Sequence, residues 1–191
     1  MPARPYSSLD ALFHLRWAVP VLVEMNRTDG SKFVTLLHRL DVARDSLQRT
    51  LKALSKSGLV ARNPGHGHPL RPEYILTRRG AAVARASAPL FALLQKLELQ
   101  GVGLKKWCMP VMAALSAGSQ RFSELRAAFP SATARALALA LKDLEGAGLI
   151  ARSVVESYPP TTRYEPTSAG HRFAAILRPL GKSYLKVRAE L

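Results

Sequence analysis

The chain is written twice. "RWAVPVLVEM" (Arg16 to Met25) returns as "KWCMPVMAAL" (Lys106 to Leu115), so that Trp107, Pro110 and Val111 stand 90 residues after Trp17, Pro20 and Val21 in a chain of 191. At the same offset Leu47, Leu51 and Leu54 are answered by Leu137, Leu141 and Leu144, and "GLVAR" (58–62) by "GLIAR" (148–152). Pro69, Tyr74, Thr77, Gly80 and Pro89-Leu90 find their counterparts in Pro159, Tyr164, Thr167, Gly170 and Pro179-Leu180. Register slips by one residue only around Phe33 and Phe122, where a loop differs in length. Agreement at Trp, Pro, Gly and Tyr does not come from shared apolar composition. A period near 90 exceeds the roughly 20–50 residues of a solenoid unit. The chain therefore reads as two sequential small domains, 1–99 and 100–191.

The bulk properties narrow the partners. Hydrophobic residues make up 48% of the chain, enough for packed cores. No apolar run approaches the roughly 18–20 residues that span a bilayer, so no membrane partner is expected. "WAVPVLV" looks like the centre of a secretion signal, but its second copy in mid-chain argues for a structural helix. A single cysteine, Cys108, excludes an internal disulfide and a multi-cysteine metal site. Basic residues number 28 against 13 acidic ones, for a net charge of +15. The surplus is shared: residues 1–90 hold 14 basic and 6 acidic side chains, residues 91–191 hold 14 and 7. Such a surplus favours polyanionic partners, and each half carries its own. The expected location is cytoplasmic and nucleoid-associated.

One unit can be read in order. Proline is tolerated in a first helical turn, where its missing N–H has no intrahelical partner. Pro20 and Pro110 therefore predict helices that start near Ala18 and Cys108, each after a short preceding helix. A second helix starts at Phe33 or Phe122. The third carries its leucines at spacings of four and three, which make one apolar stripe. Gly58 or Gly148 ends it. Two short strands follow around loops rich in proline and glycine. A last helix is predicted at roughly 81–99 and 170–190, bent at Pro89 and Pro179, with Phe173, Leu177, Leu180, Tyr184 and Val187 on one face. The fold class is mostly α with small β-hairpin wings: two tandem winged helix-turn-helix domains.

"KW", "RFSEL" (121–125), "LALALKDLEGAGLIAR" and "YPPTTRYEPTSAG" resemble the HxlR-type winged-helix transcriptional regulators, which are related to the MarR-like regulators. The second unit fits best. The first keeps Trp17, Phe33, the leucine ladder, "GLVAR", Pro69, Tyr74, Leu76, Thr77 and Gly80. The resemblance implies DNA binding as a homodimer joined through terminal helices. It also usually implies one unit per chain, where this chain has two. The implied arrangement is thus an intrachain pseudo-dimer, with the first terminal helix packed on the second. Many members of that family sense oxidants or electrophiles through a cysteine before the K-W pair. Nothing here matches it, and Cys108, after Trp107 in an apolar helix, reads as a buried structural thiol.

The candidate DNA contacts follow from the third helix. With Leu47, Leu51 and Leu54 inward, Asp45, Gln48, Arg49, Lys52 and Lys56 point outward, with Arg44 at the edge. Gln suits adenine and Arg suits guanine in a major groove wide enough for a helix. A solvated face, which any soluble helix needs, is the plainer alternative. In the second unit the outward set is Arg135, Ala138, Leu139 and Lys142, so phosphate contact is expected from Arg135 and Lys142 but little base reading. Leu139 suits a partner protein or a thymine methyl. The wing tips are expected to offer His66, His68 and Arg71 in one unit and Thr161, Thr162 and Arg163 in the other. Lys32, Arg121 and Ser123, beside helix N-termini, are further phosphate candidates.

No Ser/His/Asp order, phosphate loop, carboxylate pair or metal cluster suggests an enzyme. His66 and His68 without a third ligand read as polar wing residues rather than a metal site. No cofactor is expected. The function expected is sequence-selective binding of double-stranded DNA by a transcriptional regulator. The alternative is an architectural or protein-interaction tandem winged-helix module with non-specific or no DNA binding. Further self-association of the whole chain stays open.

Overall fold

A computed structural model describes residues 9–65, 71–156, 158 and 160–189. The first half runs α1 (Leu9–Leu12), α2 (Ala18–Arg27), α3 (Phe33–Leu40), α4 (Arg44–Lys56), β1 (Val60–Arg62), β2 (Tyr74–Leu76) and α5 (Arg78–Lys96). The second half repeats the order: α6 (Gln100–Gly103), α7 (Cys108–Ser116), α8 (Phe122–Ala128), α9 (Ala134–Gly146), β3 (Ile150–Val155), β4 (Thr161–Pro166) and α10 (Ser168–Ala189). Each hairpin is a two-stranded antiparallel sheet, with Val60 opposite Leu76 in one and Ile150 opposite Pro166 in the other. The chain is mostly helical, with small hairpins: two tandem winged helix-turn-helix units.

The sequence explains each boundary. Pro20 and Pro110 lie in the first turns of α2 and α7, as their missing N–H requires. The stripe Leu47, Leu51, Leu54 on α4 is buried, as is Leu137, Leu141, Leu144 on α9. Each such leucine contributes about 1.5–3 kcal/mol relative to an exposed one. α4 and α9 then end alike. Gly58 and Gly148 take positive φ (65° and 68°). The N–H of the next leucine returns to the carbonyl of Leu54 or Leu144, at 2.9 Å in both units. This is a Schellman cap, which needs the left-handed conformation that glycine adopts without strain.

The terminal helices start earlier than predicted, at Arg78 and Ser168, and the first stops at Lys96. The threonines decide the start. Thr77 accepts the Gly80 N–H at 3.0 Å, and Thr167 accepts that of Gly170 at 3.2 Å. A threonine cap satisfies a first-turn donor that otherwise lacks a partner. Both helices continue through Pro89 and Pro179. The predicted apolar face of α10 is buried at Phe173, Leu177, Leu180, Tyr184 and Val187.

One continuous core joins the halves. α5 packs along α10. The short helices pack across this junction too: α1 against α10 and α7, and α6 against α5. Cys108 is fully buried, and burial, reinforced by the nearby Asp143 charge, pushes its thiol up to about 12. The structural reading of that cysteine agrees with its environment.

Candidate nucleic-acid interface

α4 is held against α2 and α3 by its leucine stripe, so its opposite face is free. Arg44, Asp45, Gln48, Arg49, Lys52 and Lys56 are all exposed. Asp45, Gln48, Arg49 and Lys52 line a shallow concavity along the outer side of the helix. Arg49 Nε reaches back to the Asp45 carbonyl at 3.3 Å, a long and easily exchanged bond. The Arg44 guanidinium lies 5.6 Å from the centre of the Phe33 ring. That cation–π contact ties the start of α4 to α3 and limits the reach of Arg44.

The helix starts differ between the units. Ala43 gives α4 no side-chain cap, whereas the Thr133 hydroxyl accepts the Ala136 N–H at 3.1 Å on α9. The first-turn N–H groups of α4 thus lack the side-chain acceptor that α9 has. On α9, Arg135, Ala138, Leu139 and Lys142 are exposed, and Leu139 keeps 51% of its surface in solvent. Asp143 bonds the Lys105 ammonium at 2.7 Å. The face contains charge and apolar surface where α4 has hydrogen-bonding groups.

The remaining candidates are scattered. Lys32 and Arg121 occupy the N-cap positions of α3 and α8, and with Ser123 they are exposed. Each of these helix starts already has a carboxylate beside it. Glu73 Oε2 accepts the Phe33 N–H at 3.3 Å, and Glu124 Oε2 accepts the Arg121 N–H at 3.0 Å. A phosphate there meets a resident negative charge. Arg71 is exposed beside the first wing; His66 and His68 lie outside the described residues.

The second wing corrects an expectation. Thr161, Thr162 and Arg163 are not at its tip but form the start of β4, paired with Val155, Val154 and Ser153. All three are half-buried. Arg163 Nε is buried without a hydrogen-bond partner, and its Nη1 is 3.8 Å from Glu165. The ladder begins at Thr161, directly after Pro160, which has no N–H to donate to it. The sequence reading also passed over Arg62 and Arg152, the last residues of "GLVAR" and "GLIAR". Both are exposed on the wings. Their identical place in the repeat was the available signal.

Among the described residues no cluster of His, Cys, Asp and Glu has the makings of a metal site, and no helix is long and apolar enough to cross a membrane.

Comparison with known proteins agrees with this geometry. The profile of the HxlR-like helix-turn-helix family matches residues 12–100 and again 102–188. The uncharacterized HTH-type transcriptional regulator YvaP of Bacillus subtilis is 38% identical over 78 residues, covering 41% of this chain and 72% of YvaP. An uncharacterized HTH-type transcriptional regulator of Methanothermobacter thermautotrophicus is 39% identical over 82 residues, covering 41% of this chain and 63% of the relative. YkvN of Bacillus subtilis, described in the same terms, is 35% identical over 75 residues, covering 39% and 64%. No solved structure matches.

Proposed function

The chain belongs to the HxlR-like helix-turn-helix family, and from that premise we propose that it is a transcriptional regulator that binds double-stranded DNA selectively, its two winged helices acting as a covalent pseudo-dimer. The observation that carries the reading is the outer face of α4. Gln48, Arg49 and Lys52 stand exposed on a helix whose other face is fixed by Leu47, Leu51 and Leu54. That is the geometry a groove-reading helix needs: rigid support behind, donors and acceptors in front.

The pseudo-dimer rests on the packing of α5 on α10 and on the crosswise contacts of α1 and α6. Equivalent elements that meet each other reproduce, within one chain, the self-complementary contact of a two-fold dimer. The net charge of +15, divided almost evenly, supplies phosphate attraction to both halves. Residues 1–99 and 100–191 are the proposed domains.

The second half supports a narrower role for itself. Arg135 and Lys142 attract phosphate, while Ala138 and Leu139 offer no hydrogen bonds to base edges. A second reading, an architectural or protein-interaction module, draws on exposed apolar residues of the same unit, one on α9 and one on β3. Leu139 and Val154 keep 51% and 62% of their surface exposed, apolar surface that a protein partner could cover. Titration against a library of genomic fragments at several salt concentrations separates the two. A regulator retains a few fragments at high salt; an architectural module loses all of them together; an interaction module binds none at low salt.

A further inference from the structure

A cavity of about 700 Å³ opens where the two halves meet. Its walls come from α1 and the turn after it, from the last turn of α4 and, across the junction, from Lys106 and Tyr184. The lining is amphiphilic. Leu15, Ala53, Leu54 and the buried ring of Tyr184 give it an apolar floor. Lys56, Lys106 and His14 line it as well, with Asp10 as the single carboxylate. Among the described residues neither lysine has a carboxylate partner. The Lys106 ammonium is held over the Trp107 ring, 4.8 Å from its centre. The volume falls in the range of small-molecule sites, about 300–1,000 Å³.

The second half lacks this arrangement. Ninety residues on, Leu15 and Ala53 become Lys105 and Asp143. These join in an ion pair at 2.7 Å that ties the turn before α7 to α9. In the second unit that pair borders a smaller pocket of about 370 Å³, whereas the first unit has apolar Leu15 and Ala53 in those two places, beside Lys56 and Lys106. A charge excess over an apolar floor selects an anionic head on an apolar body.

We propose that this cavity is an effector site for an organic acid with an apolar body, and that its occupancy changes the affinity of the chain for duplex DNA. The occupant touches Ala53, Leu54 and Lys56 on α4 and Tyr184 on α10. It therefore binds the two units together and rewards one placement of α4 over another. The regulatory part rests on the reading of α4 as the DNA-reading helix; the binding site does not.

The probe is anilinonaphthalene sulfonate, with phenylnaphthylamine as its uncharged analogue, titrated by fluorescence into the full chain. The sulfonate should saturate at one per chain with a Kd of roughly tens of micromolar. The neutral analogue should bind about tenfold more weakly. Ala53→Trp, on an exposed position, should abolish both signals, while Leu139→Ala, on the other exposed apolar site, should change neither. Should Ala53→Trp not fold, Lys56→Gln with Lys106→Gln decides: it should weaken the sulfonate about tenfold and leave the neutral probe unchanged. Equal affinity for the two probes, or binding insensitive to these variants, overturns the site. Duplex affinity is then measured with and without saturating sulfonate. A shift of roughly fivefold or more, absent in the cavity variant, supports the effector role, and no shift overturns it. A chain that binds no duplex in either condition overturns the regulator reading, while the fluorescence arm still decides the site.

Discussion

The Thr77 hydroxyl donates to the Gly58 carbonyl oxygen at 2.7 Å, and 90 residues on the Thr167 hydroxyl donates to Gly148 at the same 2.7 Å. Each threonine also accepts a first-turn N–H of its terminal helix. One side chain thus fastens the end of α4 or α9 to the start of α5 or α10. Removing it unmakes a cap and takes a hydrogen-bond partner from the Gly58 or Gly148 carbonyl. Thr77→Ala and Thr167→Ala should each destabilise by about 1–2 kcal/mol in urea unfolding, where Thr→Ser should cost less.

Gly80 and Gly170 should tolerate no side chain. A Cβ on either would fall on the carbonyl oxygen of Leu59 or Leu149, which are backbone atoms and cannot swing away. Alanine normally favours a helix over glycine by about 1 kcal/mol. Here Gly80→Ala should instead destabilise, by roughly 1–3 kcal/mol or more, because the strand-side backbone must move. Gly101, on the short helix α6, has open space around it, and Gly101→Ala should be neutral or mildly stabilising by the same melt.

Cys108 should be inert in the folded chain. Burial and the Asp143 charge hold its thiol at about 12, above the ordinary 9.0, so little thiolate exists at neutral pH. Alkylation by iodoacetamide at pH 8 should be slow when folded and rapid in denaturant. The sign for stability follows. The unfolded thiol ionises from about 9 upward while the folded one stays protonated, so its contribution is intact below 9.0 and is lost as pH rises toward about 12. A fast-reacting thiol in the native state would contradict its burial.

The repeat made the fold legible. Each helix boundary marked by a local device, the starts at Pro20 and Pro110 and the ends at Gly58 and Gly148, lies where the sequence put it. The leucine stripes located the buried faces and so the exposed ones, which is why the outward set on α4 was readable. The starts of α5 and α10 were not, because the decisive cap is a threonine bonded both forward and back to a glycine far away in sequence. Thr161 to Arg163 were misplaced at a wing tip because the same letters serve a turn or a strand until pairing with Ser153, Val154 and Val155 decides. The cavity could not be read at all. Its walls unite Leu15, Leu54 and Tyr184, which only the packing of the halves brings together.

The two helices should answer differently to loss of charge. Arg49→Ala removes a side chain placed to read a base edge and should cost about 1–3 kcal/mol on the preferred sequence, with preference relaxed. Arg135→Ala should weaken all duplexes about equally and lower the salt slope by roughly one. Wild-type affinity itself should drop about a thousandfold between roughly 50 and 200 mM salt. Competition binding against matched and scrambled duplexes separates the two effects.

The most direct measurement is selection of bound sequences from a random duplex pool by the wild-type chain. Gln48 and Arg49 face outward on α4 where α9 has Ala138 and Leu139, so the two units cannot read DNA alike. The predicted result is a site with one well-defined half and one degenerate half, at fixed spacing, occupied by a single chain. A symmetric palindrome, or a pool with no enriched sequence, would contradict the account of one chain reading DNA as an unequal pair of winged helices.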